Sequence, residues 1–243
     1  MVKPLTYGRM GNFLFQAAAA MAYAWKHGLD YTLPDAPTKK GPVYLQHLVN
    51  AKWDPNLPEV LITEKGFACQ ELPFQSDWRD KNIILDGYWQ SEKYFKHYRD
   101  QLLEQWNFSW MEWKGYVSVH VRRGDFLRLH KKHPQIGKEW IEQAMKLFPG
   151  YRFVFFSDDI AWCKQTFGGK DWITFSEGRN EVEDLCLMSG CEHQICSAST
   201  FSWWGAWLNQ NSNKQVVMPK LWFVPGWGGL ETKDIVPPEW KRL

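Results

Sequence analysis

The sequence predicts an α/β protein whose mostly parallel sheets are covered by helices. Beyond residue 115, short apolar runs alternate with helical segments, a pattern typical of strands joined by crossover helices. Near the N-terminus, a brief candidate strand precedes a glycine-containing turn and an alanine-rich helix. With 243 residues and 44% hydrophobic residues, the chain can build one large domain or two small lobes.

In the first part of the chain, the helix is predicted from Phe13 to Lys26. The segment from Pro34 to Pro73 is rich in Pro, Lys and Asn, so we expect short elements and loops there. A buried strand is predicted at 82–86 and helical segments at 91–106. A crossing between lobes near 108–114 divides the chain into regions 1–110 and 111–243.

The second region shows the plainer alternation. Strands are predicted at 116–121, 151–156, 172–175, 193–196 and 215–218, and helices at 138–147, 158–167, 181–189 and 201–209.

Composition excludes several classes of protein. The 29 basic and 27 acidic residues leave a net charge of +2, which gives no general signal for nucleic acid or for an anionic membrane. The five cysteines include no C-x-x-C pair, so we expect reduced thiols in a cytoplasmic protein. The longest apolar stretch, Phe13 to Trp25, is shorter than the roughly 20 residues of a membrane span and lacks a leading cationic region.

The most informative motif is His120-Val121-Arg122-Arg123-Gly124-Asp125, because it follows a predicted strand. Ligands of α/β proteins sit at the carboxyl ends of such strands. Two neighbouring guanidiniums can hold a diphosphate through charge-assisted hydrogen bonds, which predicts a nucleotide diphosphate ligand. In the alternative interpretation, the arginines only pair with acids such as Asp125 or Asp158.

A second candidate is the block Ser197 to Gly205, which follows a predicted strand and opens a helix. Its hydroxyls and free backbone N–H groups can hold phosphate oxygens, as helix N-termini do. The alternative is simple helix capping by Ser or Thr. The candidate ligands in this block are Ser199, Thr200, Phe201 and Ser202.

Acidic and glycine-rich positions complete the candidates. Asp158 ends a strand and can accept two N–H bonds from a guanine edge, whereas Asp159 fits a helix start. Gly8, Gly11 and Asn12 can approach a ligand closely, although their spacing fits neither the G-x-G-x-x-G nor the Walker A pattern. The sequence therefore gives no support to an NAD-dependent enzyme or an ATPase.

Taken together, these motifs resemble the α-1,2-fucosyltransferases of glycosyltransferase family eleven. The resemblance covers nearly the whole chain and rests on the blocks 8–16, 87–95, 120–125, 156–159 and 183–207. It implies a GT-B-like fold with two Rossmann-like lobes, an acceptor-side N-terminal lobe and a C-terminal lobe that binds GDP-fucose. It also implies inverting transfer to the 2-hydroxyl of a galactose-containing glycan, without metal or other cofactor.

Carried over residue by residue, the resemblance makes Arg122 a ligand of the β-phosphate, with Thr200, Ser202 and Asn12 nearby. His120 and Asp158 are expected to line the nucleotide pocket, and Arg123 to share in donor binding. No Asp-x-Asp pair occurs in the sequence, so arginines and helix ends must neutralise the diphosphate.

The sequence leaves the identity of the catalytic base open. Asp125 is the acid nearest the arginines, so Arg122 and Asp125 are the catalytic candidates, although Asp125 fits equally well as a partner of an arginine. His120 and His133 are weaker candidates for the base.

Two other functions compete. One is a fucosyltransferase of another linkage or a transferase of another GDP-sugar. The other is a non-catalytic glycan-binding module, suggested by Trp203, Trp204 and Trp207. Nothing predicts a nucleic-acid partner or an integral membrane segment, and a lipid-linked acceptor would bring the protein to the inner face of the membrane.

Overall fold

The computed structural model describes residues 1–33, 52–106, 108, 112–228 and 230–243. The chain divides into two compact units, Met1–Asn107 with Leu230–Pro237, and Phe108–Gly229 with Pro238–Leu243. The predicted division between residues 110 and 111 falls on positions outside the described residues. Within the described ranges, no helix is long and apolar enough to span a bilayer.

The first unit contains a small parallel sheet. Its strands are β1 (Val2–Pro4), β2 (Glu59–Thr63) and β3 (Asn82–Asp86), in the order β1-β3-β2. Both pairings are parallel. Strand β3 is the central one, and its residues 82–85 are buried, as the apolar run at 83–85 predicts.

Helix α1 (Met10–His27) covers this sheet. It begins three residues before the predicted start, so Gly11 and Asn12 lie in its first turn rather than in the preceding loop. Small alanines let the helix pack closely on the strands, and Ala19, Ala20 and Ala24 share a core with Val2 and Ile83. The helix ends at Gly28, which adopts the left-handed conformation of a C-cap.

The helical region predicted at 91–106 is broken into pieces. Two short 3₁₀ turns, Glu92–Tyr94 and Lys96–Tyr98, precede helix α2 (Arg99–Trp106). Phe95, between the turns, has φ −140° and ψ −5°, which no continuous α-helix contains.

The C-terminal segment 230–237 returns to the first unit, which the sequence pattern did not predict. Its Asp234 carboxylate accepts a hydrogen bond from the Cys69 backbone N–H at 2.9 Å and pairs with Lys93. The Asp234 side chain is 8% exposed, whereas that of Lys93 is 50% exposed, so the pair joins the segment to the surface of the first unit.

The second unit contains a six-stranded sheet in the order β6-β5-β4-β7-β8-β9, and all its pairings are parallel. The strands are β4 (Trp113–Val121), β5 (Arg152–Ser157), β6 (Ile173–Phe175), β7 (Cys191–Ile195), β8 (Val216–Met218) and β9 (Lys241–Arg242). The helices are α3 (Gly124–Arg128), α4 (Lys138–Met145), α5 (Ile160–Phe167), α6 (Glu181–Gly190) and α7 (Thr200–Leu208).

The strand order reverses beside β4. The chain proceeds from β4 to β5 and β6 on one side and then places β7, β8 and β9 on the other. Such a reversal opens a crevice at the carboxyl ends of the two strands that flank it, and ligands of open α/β sheets bind there. The topology therefore predicts a ligand site at the carboxyl ends of β4 and β7.

The three tryptophans of helix α7 belong to the core of the second unit. Trp203, Trp204 and Trp207 are 0%, 0% and 3% exposed and contact one another within helix α7. They present no surface to a sugar, so the observation that suggested a glycan-binding module is removed. All five cysteines are unpaired.

Candidate active site

The carboxyl ends of β4 and β7 meet through His120 and Ser197. His120 Nδ1 lies 2.6 Å from Ser197 Oγ, and the imidazole also contacts the ring of Phe201 at a centroid distance of 5.5 Å. His120 is 5% exposed. The motif around His120 and the block that opens α7 therefore converge at the point where the strand order reverses.

Burial determines the charge of His120. Loss of hydration, with a smaller contribution from the Arg122 guanidinium, lowers the pKa of His120 to about 3. The imidazole is therefore neutral at physiological pH and is a poor general base. His133 stacks on Phe126 at 4.0 Å, and burial lowers the pKa of this histidine to about 4.

Arg122 lies between two carboxylates. Its Nη2 atom lies 2.5 Å from Asp125 Oδ1, and its Nη1 atom lies 3.0 Å from Asp158 Oδ2. The Arg122 side chain is 15% exposed, compared with 43% for Asp125 and 24% for Asp158. The pairing anticipated by the alternative interpretation thus exists, and it also fixes the orientation of the guanidinium at the sheet edge.

Arg123 is oriented by a different set of partners. Its Nε donates to Asp159 Oδ2 at 3.0 Å, and the guanidinium lies 3.9 Å from the centre of the Trp162 ring. Its backbone N–H donates to Asp158 Oδ1 at 2.8 Å. Asp159 also caps helix α5 through Trp162 N, as predicted for a residue at a helix start.

Gly124 allows Asp158 to approach the turn. A Cβ atom at this position would overlap the Asp158 carboxylate. The glycine of the motif therefore permits this close approach of Asp158 beside Arg122. The short helix α3 that starts here was not predicted.

The residues that begin α7 divide into two groups. Ser199 is the N-cap but makes no capping hydrogen bond with its side chain, which removes simple capping as its explanation. Ser202 is fully buried, and its hydroxyl contacts the carbonyls of Ser197 and Ser199 at 3.2 and 3.1 Å. Ser202 thus shapes the turn, while Thr200 and Phe201 are half-buried.

Asn12 belongs to the first unit. Its Oδ1 accepts a hydrogen bond from Gln90 Nε2 at 3.0 Å, which joins the first turn of α1 to the segment after β3. Asn12 belongs to the sequence block 8–16 and Gln90 to the block 87–95. Two of the blocks that carry the family resemblance are therefore in contact within the first unit.

One functional candidate was missed by the sequence reasoning. Glu64 follows β2, and its Oε2 accepts hydrogen bonds from the backbone N–H groups of Tyr88 and Trp89 at 2.8 and 2.9 Å. Burial outweighs these bonds and raises the pKa of Glu64 to about 7. No local sequence signal reveals this, because the burial arises from contact with residues more than twenty positions away.

The family assignment follows from comparison with known proteins. The sequence model of Glycosyl transferase family 11 matches residues 63–242, which include the described site on β4, β5, β7 and α7. The chain belongs to glycosyltransferase family 11. It is therefore a glycosyltransferase, and the resemblance noted in the sequence is confirmed.

Relatives of this family-11 protein include bacterial and mammalian enzymes. It is 33% identical to an α-1,2-colitosyltransferase of Escherichia coli, with 76% of this chain and 71% of the relative covered. It is 26% identical to the galactoside α-(1,2)-fucosyltransferase 1 of Bos taurus, with 95% and 76% covered.

Solved structures show the fold. The crystal structure of POFUT1 in complex with GDP-fucose matches 89% of this chain with a TM-score of 0.52 at 12% identity, and 96% of that chain is covered. The NodZ α-1,6-fucosyltransferase soaked with GDP-fucose matches 90% of this chain, and 95% of its own, with a TM-score of 0.50 at 14% identity. The predicted α/β, GT-B-like fold class is confirmed.

Proposed function

We propose that this family-11 glycosyltransferase moves L-fucose from GDP-fucose to the 2-hydroxyl of a galactose-containing glycan. The observation that carries the proposal is the oriented Arg122 guanidinium, held by Asp125 and Asp158 beside the His120–Ser197 contact. The similarity to proteins named galactoside α-(1,2)-fucosyltransferases supports the proposed linkage and acceptor.

In this proposal the second unit binds the donor. Arg122 holds the β-phosphate, and the start of α7, through Ser199 and Thr200, supplies hydroxyl and backbone N–H groups to the phosphate oxygens. Asp158 reads the guanine edge, because a carboxylate has about four acceptor positions and its two arginine contacts leave others. His120 and Phe201 line the pocket as neutral surfaces.

Arg123 has a supporting role. It positions Asp158 through its backbone N–H, at 2.8 Å, and shares in donor binding through a guanidinium that Asp159 and the Trp162 ring orient.

The reaction is a single displacement with inversion at the anomeric carbon. The acceptor O2 attacks C1 of fucose, the bond from C1 to the β-phosphate oxygen breaks, and its electron pair leaves with GDP. The acceptor proton passes to Asp125. Arg122 stabilises the charge that grows on the β-phosphate, so the step requires neither metal nor other cofactor.

A second candidate is transfer of colitose from its GDP-sugar. The similarity to an α-1,2-colitosyltransferase, at 33% identity over 76% of this chain, favours considering it. Colitose is fucose without the 3-hydroxyl, so both donors place the same nucleotide and anomeric carbon in the site. The two candidates differ only in how the pocket treats that hydroxyl.

The test is a transfer assay in EDTA with lactose as acceptor and GDP-fucose, GDP-colitose or GDP-mannose as donor. We expect one 6-deoxy donor to give an α-1,2-linked product, identified by NMR of the anomeric proton and the substituted C2. Preference for GDP-colitose would select the second candidate. Transfer to another hydroxyl, or a strict need for a divalent cation, would refute the proposed linkage or the metal-independent mechanism.

A further inference from the structure

Three aromatic rings meet at the carboxyl end of the first unit's sheet. Tyr7 follows β1, Phe67 follows β2 and Tyr88 follows β3. The ring centroids of Tyr7 and Tyr88 lie 5.8 Å apart, and those of Phe67 and Tyr88 lie 5.9 Å apart with planes inclined by 21°. We call these three residues the aromatic shelf. It lies at the carboxyl end of a parallel sheet, which is where ligands of α/β proteins bind.

The shelf presents aromatic surface to water. Among the described residues, the exposed large aromatics are Tyr7, Tyr88 and Trp172, and Tyr7 and Tyr88 are 39% and 38% exposed. Trp172 lies in the second unit. Single exposed apolar side chains are ordinary, but contiguous ones mark binding surfaces. Two of the three exposed aromatics touch each other, which distinguishes this surface from scattered exposure.

Tyr7 is held rigidly. Its hydroxyl donates to Asp86 Oδ1 at 2.7 Å, and its backbone N–H donates to Gln16 Oε1 at 3.0 Å. Gln16 Nε2 donates in turn to the Tyr7 carbonyl at 3.4 Å. Gln16 is fully buried within the otherwise apolar stretch of α1. Because Gln16 bonds to both the N–H and the carbonyl of Tyr7, its role in placing Tyr7 explains a polar side chain inside this helix.

Tyr88 is fixed by its backbone. Its N–H donates to Glu64 Oε2 at 2.8 Å, and a Cβ atom at Gly87 would overlap Glu64. Trp89, the next residue, adopts a left-handed conformation with φ 54° and is fully buried. A non-glycine residue in this region costs free energy and marks a functional constraint. The chain thus turns Trp89 inward and leaves Tyr88 facing solvent.

These features match the chemistry of a pyranose. One face of a sugar ring carries C–H groups that stack on an aromatic ring, and its hydroxyls donate to carboxylates. Asp86 places a carboxylate directly against Tyr7. A rigid surface also loses little conformational entropy when a ligand binds.

We propose that the aromatic shelf is the subsite for the acceptor sugar, which stacks its C–H face on Tyr88 and Tyr7 and donates a hydroxyl hydrogen to Asp86. The choice of a galactoside as that sugar rests on the proposed function. The stacking itself depends only on the shelf.

Direct binding tests the subsite on the full chain. The experiment is saturation-transfer difference NMR with methyl β-D-galactopyranoside as the probe. We expect transfer to H3, H4 and H5, which form the C–H face of galactose. Tyr88→Ala and Tyr7→Ala should each lose most of this signal, while Trp172→Ala, a matched exposed aromatic of the second unit, should keep it. No signal in the wild type, or equal signals in all variants, would overturn the subsite.

Kinetics separates the subsite from the donor reaction. Tyr88→Ala should raise the acceptor KM about tenfold or more while calorimetric affinity for GDP and the circular dichroism spectrum stay unchanged. An unchanged acceptor KM with intact transfer would refute the subsite alone. If the wild type binds no guanine nucleotide, the proposed function fails, yet a galactoside signal lost in Tyr88→Ala would still establish the subsite.

Discussion

His120 Nδ1 lies 2.6 Å from Ser197 Oγ, and this contact joins β4 to the segment that follows β7 where the strand order reverses. The two residues are 77 positions apart in sequence. Their contact brings the arginine motif and the start of α7 to one edge of one sheet. The chemistry proposed for the second unit depends on this juxtaposition.

Replacement of Arg122 tests the proposed stabilisation of the leaving group. We expect Arg122→Ala to lower the transfer rate by about 10²–10³, or roughly 3–4 kcal/mol, because a fixed cation beside the β-phosphate is lost. Arg128→Ala removes an exposed arginine at the end of helix α3, which follows Arg122 in the chain, and serves as the control. Near-normal turnover in a folded Arg122→Ala protein would eliminate Arg122 from the mechanism.

Gly124→Ala tests the packing behind that arginine. The added Cβ would overlap the Asp158 carboxylate, which must move and give up its 3.0 Å contact with Arg122 Nη1. One charge-assisted hydrogen bond is worth about 1.5–3 kcal/mol, so GDP affinity measured by calorimetry should fall about tenfold or more.

Gly137→Ala is the matched control for Gly124→Ala. A Cβ at Gly137 would lie 3.2 Å from Oε2 of Glu139, an exposed side chain that can move. Equal GDP affinities in the two variants would show that the position of Asp158 does not matter for nucleotide binding.

Much of the second unit was predictable from sequence, for a physical reason. Its strands are apolar runs buried on both faces of a parallel sheet, so residues such as Val117 and Phe155 carry a strong local signal. The predicted strand at 116–121 is confirmed as β4, which begins three residues earlier. The clustering of His120, Arg122 and Asp158 followed from their positions at or just beyond the carboxyl ends of parallel strands.

The first unit was harder to predict because its signals are not local. Strand β2 lies at the edge of its sheet, and among its residues only Ile62 is buried, so its periodicity is weak. Asp234 ties the returning segment 230–237 to Cys69 across 165 positions of sequence, a contact that a local pattern does not reveal. Glu64 likewise gains its environment from the distant Tyr88 and Trp89.

The pKa of His120 predicts an acid-labile fold. The folded-state pKa of about 3 lies below the usual value of 6.5, so the unfolded chain takes up a proton first as pH falls. The stability due to neutral His120 is complete above pH 6.5 and declines towards pH 3. At pH 5 the loss is about 2 kcal/mol.

Urea unfolding at pH 7 and pH 5 measures this effect. His120→Gln keeps a group able to hydrogen-bond Ser197 but does not titrate, so its free energy of unfolding should fall less than that of the wild type between the two pH values. The difference between the two proteins isolates His120 from His133, whose pKa is also low. Parallel losses in both proteins would contradict a neutral, buried His120.

Glu64 predicts the opposite dependence on pH. Its folded-state pKa of about 7 lies above the ordinary 4.5, so the folded protein binds the proton more tightly than the unfolded chain does. The tighter binding of this proton stabilises the fold fully below pH 4.5. That contribution to the free energy of unfolding, on the order of 3 kcal/mol, is lost as pH rises through 7.

Glu64→Gln tests this dependence, because glutamine is neutral at every pH and its Oε1 can still accept from the N–H groups of Tyr88 and Trp89. Relative to the wild type, this variant should therefore gain stability in urea unfolding between pH 5 and pH 8. Glu59→Gln, an exposed change at the start of β2, should show no such gain. A Glu64→Gln difference that is constant with pH would place the titration of Glu64 outside this window.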